Sequence, residues 1–172
     1  MIYDLVHCSH PILHQEIPKF DFTKEFPIHP IELANNLIET MRHHNGLGLS
    51  ANQCGLPYRV FVMWSEEPLA CFNPRVVDQS SHVSLMDEGC LSFPNLTLPI
   101  KRSRSIKVRF QDFKGEMHTE IFNGMTARIF LHELDHLNGI DYTSRASSFH
   151  KNRALRKQKL YNRIEKRNEK AA

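Results

Sequence analysis

The sequence predicts an α+β fold, with small antiparallel sheets around one central helix and a further helix toward each end. Two observations carry this prediction. Apolar residues recur at helical spacing in two well-separated stretches, and between them lie short extended segments bounded by turn residues. A helix, several strands and then a helix is the order of an α+β domain, and no internal repeat competes with it. At 172 residues, 41% hydrophobic and 24% charged, the chain has a globular composition and enough length to bury one core.

Residues 1–28 read as an irregular lead-in punctuated by Pro11, Pro18 and Pro27. The first helix is expected from Pro30 to His44. Pro30 suits a first helical position, Ala34, Leu37, Ile38 and Met41 share one face, and Gly46 follows the end. Extended segments are expected at Tyr58 to Trp64, Leu69 to Asn73 and Ser105 to Phe110. In the last, Lys107 and Arg109 alternate with Val108 and Phe110. A Lys114-Gly115 turn returns Met117 to Phe122 as a hairpin partner. The second helix runs from about Met125 to Leu137, with Asn138-Gly139 as its stop.

The net charge of +3 is unevenly spread. Residues 1–144 hold twelve basic and seventeen acidic side chains, whereas 145–172 hold ten and two, a local net of +8. On a helical wheel Ala154, Leu160, Tyr161 and Ile164 fall within an arc of ~120°, with Leu155 outside it. The segment therefore reads as a basic helix with a narrow apolar seam. No apolar run approaches the ~18 residues of a membrane span, and the N-terminus resembles neither a secretory signal nor a transit peptide. Cys8, Cys54, Cys71 and Cys90 are irregularly spaced, which favours free thiols in a reducing compartment. A cytoplasmic protein with no membrane partner is expected.

The most informative residues are His132-Glu133-Leu134-Asp135-His136. Positions i and i+4 share a helix face, so both imidazoles can reach one metal ion, while Glu133 is rotated by ~100° and can handle a proton beside it. The central helix therefore reads as a metal-binding one, against the alternative of an exposed helix face that carries two histidines. Apolar Ile129, Phe130, Leu134 and Leu137 place the pair on a buried face, where two histidines need a reason to be present. A hydrolytic metal needs a third protein ligand and an open position. Asp141 and His150 lie downstream; upstream, Cys90 in Glu88-Gly89-Cys90-Leu91-Ser92 would complete a Cys-His-His set, although a lone cysteine is more often a packed thiol. A third element, Gly46-Leu47-Gly48-Leu49-Ser50-Ala51-Asn52-Gln53, is no dinucleotide fingerprint. It is either a helix-terminating turn or a loop whose backbone approaches a ligand closely, with Gln53 offering an amide donor to an oxyanion.

Together, in this order, the three motifs resemble the signature of the peptide deformylases, which remove the formyl group from N-formylmethionyl nascent chains. The match includes Gly46, Gly48, Ala51 and Gln53, all of Glu88 to Ser92, and His132, Glu133, Asp135 and His136; it extends to His10-Pro11-x-Leu13 and Leu137-x-Gly139. Within the motifs, Ser50 stands where the family more often has alanine. The resemblance implies metal ligation by Cys90, His132 and His136, with Glu133 as general base and acid. It further implies an oxyanion held by Gln53 and the backbone N–H of Leu91, and substrate backbone paired at Gly48 and Gly89. Leu47, Met125 and Ile129 would wall a methionine pocket. Glu88 and Asp135 are expected to support the site rather than ligate.

The donor set suits zinc, and the resemblance implies Fe(2+) as the physiological ion, with Zn(2+) or Ni(2+) as alternatives. The resemblance covers about residues 5–142 and implies a catalytic domain at 1–144. The tail at 145–172 lies outside it in detail. It reads either as a solvated helix docked weakly on its own domain or, as in some deformylases, as a basic helix that meets the ribosome, with no sequence-specific nucleic acid partner. Two rival readings use the same helix: a general zinc endopeptidase with a downstream third ligand, and a metal-stabilised binding protein without catalysis.

Overall fold

The computed structural model of the protein describes residues 1–25 and 27–169. Phe26 and the last three residues of the basic tail, Lys170 among them, lie outside the described residues. Helix α1 spans Pro30–His43, seven strands follow, and α2 spans Gly124–Leu137 and α3 Ser148–Glu169. The strands are β1 Gly48–Ser50, β2 Val60–Trp64, β3 Pro68–Gln79, β4 Val83–Cys90, β5 Phe93–Ser103, β6 Ser105–Gln111 and β7 Met117–Asn123. They form a five-stranded antiparallel sheet in the order β1-β2-β3-β6-β7 and a separate hairpin of β4 and β5. The α+β prediction holds, with small antiparallel sheets around α2 and a helix toward each end.

Strand β2 shows how the core is divided. Its run Val60-Phe61-Val62-Met63 is apolar at every position because a helix covers each face. Val60 and Val62 pack with Leu33, Ala34, Leu37 and Met41 of α1. Phe61 and Met63 face the other way, into a cluster with Ala127, Phe130, Leu134 and Leu137 of α2. The Phe61 and Phe130 rings meet edge to face at 5.1 Å. Each such side chain fully withdrawn from water stabilises the fold by roughly 1.5–3 kcal/mol. Anchored by this face, α2 turns its other face, with His132, Glu133 and His136, toward β1 and the β4–β5 hairpin.

Two stretches differ from expectation. The lead-in contains a 3-10 turn at Pro11–His14, whose Ile12 and Leu13 are buried against α2, and Glu16 bridges to Asn138. Strands β4 and β5 were not foreseen: β4 is solvent-exposed at most positions and turns only Glu88 fully inward, whereas β5 does alternate, burying Leu96, Leu98, Ile100 and Arg102. Its register slips between Glu88 and Cys90, at Gly89, a distortion that re-aims the strand end.

The end of the chain is tied back to this hairpin. Tyr142 donates to the Leu96 carbonyl at 2.8 Å, and Arg145 pairs with Asp135. Helix α3 then lays Ala154 and Leu155 against Leu96, Leu98, Ile100 and Tyr142, with Gln158 donating to the Pro94 carbonyl at 2.7 Å. Leu155 thus belongs to the docked face, although it falls outside the apolar arc of the helical wheel. Leu160, Tyr161 and Ile164 remain 59%, 50% and 50% exposed. The docked face and the apolar seam adjoin at Ala154 rather than coincide. No described helix is long and apolar enough to cross a membrane.

Candidate metal centre

Because α2 is a regular helix, His132 and His136 stack one turn apart, with ring centroids 5.1 Å from each other. Cys90, aimed by the irregularity at the end of β4, brings Sγ to 3.1 Å from Nε2 of His136. One donor atom from each of Cys90, His132 and His136 lies within 4.8 Å of the other two. The donors are a sulfur and two imidazole nitrogens, a set that fits a divalent transition metal. Asp141 instead caps the 3-10 turn Tyr142–Arg145, and His150 bonds Ser147.

The orientation of His132 is fixed from behind. Nδ1 of His132 meets Oε2 of Glu88 at 3.0 Å, which leaves Nε2 for a metal. Glu88 also accepts from Arg102 Nε at 2.7 Å and Arg128 Nη1 at 2.5 Å. Arg102 reaches on to Asp135 Oδ2 at 2.7 Å, so the buried guanidinium links Glu88 to Asp135. Arg102, Arg128 and Arg145 are the supporting residues that sequence reasoning missed. They lie outside the three motifs, and their basic character marks them only as surface candidates.

Charge balance follows from this packing. Burial alone would raise the Glu88 carboxyl, but its bonds to His132 and Arg102 prevail and hold it at about 2. Burial would likewise lower His132, yet its bonds to Cys90 and Glu88 and the nearby Glu133 charge raise it to about 10. Burial and the neighbouring His132 charge push His136 well below its ordinary value. Burial raises Glu133 despite the opposing effects of His132 and the Ser50 hydrogen bond.

The glycine loop resolves into β1 and a 3-10 turn at Ala51–Cys54. Gly48 is required by close approach: a Cβ there would lie 2.5 Å from Oε1 of Glu133. Ser50 is fully buried and donates to Glu133 Oε2 at 2.7 Å. Its N–H donates to Oε1 of Gln53 at 2.9 Å, turning that amide so that Nε2 reaches Ser92 Oγ at 3.0 Å and Cys90 Sγ at 3.6 Å. In front lies a cleft of about 390 Å³. Every residue singled out from the sequence for chemistry or substrate lines it, namely Leu47, Gly48, Gln53, Gly89, Leu91, Met125, Ile129 and Glu133, together with Cys90 and His132. His136 lies behind them, almost fully buried.

A helix bearing two histidines cannot close a metal's shell by itself; here a thiol from a strand end lies within reach of both, and a buried carboxylate stands beside them at the base of an open cleft. That division of labour defines a metal-dependent hydrolase with room for an extended substrate. Comparison narrows the class. The sequence profile of the family described as polypeptide deformylase matches residues 2–152. A peptide deformylase of Thermotoga petrophila is 41% identical over 141 residues, covering 80% of this chain and 82% of that protein. The crystal structure of the Thermotoga maritima peptide deformylase superposes with a TM-score of 0.80 at 36% identity, over 86% of this chain and 99% of that one. A Met-Ala-Ser-bound class I type b peptide deformylase of Acinetobacter baumannii gives 0.80 at 28% identity, over 84% and 98%. The chain belongs to the polypeptide deformylase family, hydrolases that remove the formyl group from N-formylmethionyl chains and release formate.

Proposed function

We propose that Cys90, His132 and His136 hold the metal and that Glu133 is the group that moves protons in deformylation. One observation carries this reading: the Glu133 carboxylate lies buried against Gly48 at the base of the cleft, one residue from a ligand histidine. When bound, the metal would lower the pKa of water toward neutrality and polarise the formyl carbonyl. Glu133 takes the water proton and returns it to the leaving amine nitrogen. Gln53 Nε2 and the N–H of Leu91 donate to the developing oxyanion, each contributing on the order of 3 kcal/mol. Gly48 and Gly89 pair with the peptide backbone, while Leu47, Met125 and Ile129 receive the methionine side chain. Formyl is the smallest acyl group, so steric crowding at the cleft base excludes acetylated chains.

Glu133→Gln tests the assignment. Formate release from an N-formylmethionyl peptide falls by about 10²–10⁴-fold with metal content unchanged; wild-type turnover in this variant removes Glu133 from the mechanism. The ion proposed is Fe(2+), with Zn(2+) and Ni(2+) as alternatives, and metal analysis after purification without oxygen decides among them.

The proposed division is a catalytic unit at 1–144 and a tail at 145–172 that meets the ribosome in the cytoplasm. The tail's ten basic side chains and the exposed Leu160, Tyr161 and Ile164 support this. A cut after Ser147 keeps the Arg145–Asp135 pair. It should spare hydrolysis of short peptides and abolish salt-sensitive ribosome binding; undiminished binding refutes the tail's role.

A further inference from the structure

Ser50 ends β1 with no exposed surface, packed against α2. Its hydroxyl lies 2.7 Å from Oε2 of Glu133 and 3.0 Å from the Glu133 carbonyl oxygen. One hydroxyl proton serves one acceptor at a time, and the nearer, carboxylate oxygen is the stronger partner. Among the described residues no other hydrogen bond reaches this carboxylate. Its second oxygen is confined differently, by the space that Gly48 leaves open. One oxygen is therefore hydrogen-bonded, and the other occupies space beside Gly48 that any Cβ would take from it. The backbone of the same residue orients Gln53 through its N–H.

We propose that the Ser50 hydroxyl is a positioning group for deformylation, holding the Glu133 carboxylate in the plane from which it exchanges a proton with water and the leaving amine. The proposal rests on Glu133 being the acid–base group. It accounts for the one departure from the family pattern within the motifs: where alanine more often stands, this chain has a side chain that ties the base down. The competing role is purely architectural, a buried hydroxyl joining β1 to the backbone of α2.

The test uses two variants that are smaller than serine and so create no clash, Ser50→Ala and Ser50→Gly, in the metal-loaded full chain. Both should lower kcat by about three- to ten-fold, with KM within about two-fold of wild type and metal content unchanged. Adding Ser50→Ala to Glu133→Gln should cost no further activity, because the hydroxyl would have no base to position. The proposal is overturned by an unchanged kcat in both variants, by a loss confined to KM or matched by metal loss, or by an undiminished further loss in the Glu133→Gln background. Full activity of Glu133→Gln alone would instead sink the acid–base assignment, so the two failures are distinct.

Discussion

The Nδ1 atom of His132 lies 3.0 Å from Oε2 of Glu88, so a carboxylate outside the ligand set decides which nitrogen faces the metal position. Glu88 is itself held by Arg102 and Arg128, and Arg102 continues to Asp135. Four charged side chains, all nearly inaccessible to water, thus form one connected unit behind the site. Breaking such a unit on one side leaves a buried charge without its partner, which costs far more than the intact pair contributes.

Glu88→Gln should therefore destabilise the fold by roughly 3 kcal/mol at neutral pH. The pH dependence has a definite sign. The folded carboxyl is held at about 2 against an ordinary 4.5, so its contribution is complete above 4.5 and disappears as pH falls through about 2. Denaturant unfolding of wild type should lose stability across that window, and the variant should lose less. Equal stability of the two proteins at pH 7 would contradict the network's role.

Cys90→Ser separates this site from a general zinc endopeptidase. Replacing the sulfur with a hydroxyl should abolish most metal binding, because two imidazoles alone hold a divalent ion weakly. The fold should persist, since Cys90 lies at a strand end and is only partly buried. Metal per chain, measured on the folded variant, decides the matter: full occupancy would mean that the third ligand lies elsewhere.

Gly48→Ala places a methyl group 2.5 Å from Oε1 and 2.7 Å from Cγ of Glu133. The carboxylate must move, and a displacement of about 1 Å at a reacting group can cost about 10²-fold in rate. Formate release should fall by that order while circular dichroism and metal content stay at wild-type values. A variant with normal turnover would show that Glu133 tolerates a range of positions.

Thiol chemistry should be selective. Burial pushes the Cys54 thiol up to about 12 and the Cys71 thiol well above its ordinary value. At pH 8 the Cys54 thiolate is then about one part in 10⁴, and alkylation requires the thiolate. Iodoacetamide applied to the native protein should leave both residues unmodified, as read by mass spectrometry after digestion. Rapid labelling of either would contradict the packing around it.

Helices α1 and α2 were legible because their ends carry local signals, Pro30 at one start and Asn138-Gly139 at one stop. Strand β4 was not, because its inward-facing residue is Glu88 and its hold on the fold is ionic, which leaves no alternation of apolar and polar residues. The same reason divides the site. The motif residues announce themselves by type and spacing, whereas Arg102 and Arg128 lie 14 and 40 positions from Glu88, and Ser50 lies 83 from Glu133. A polar contact across such distances has no periodic trace in a sequence. Ser50 did stand out as a departure, but smallness was its only evident property until its partner was in view.

Gln53, Cys90 and His136 meet although 37 residues separate the first pair and 46 the second. During synthesis the thiol therefore emerges well before either histidine, and the glycine loop earlier still. Until α2 has been made and packed against β2, the chain holds Gln53 and Cys90 without either histidine. Contacts this distant must also overcome the entropy of closing long loops, so they form late in folding. The three side chains proposed to hold the metal therefore come together only once α2 has been made and docked, so the proposed centre cannot be assembled from any shorter stretch of the chain.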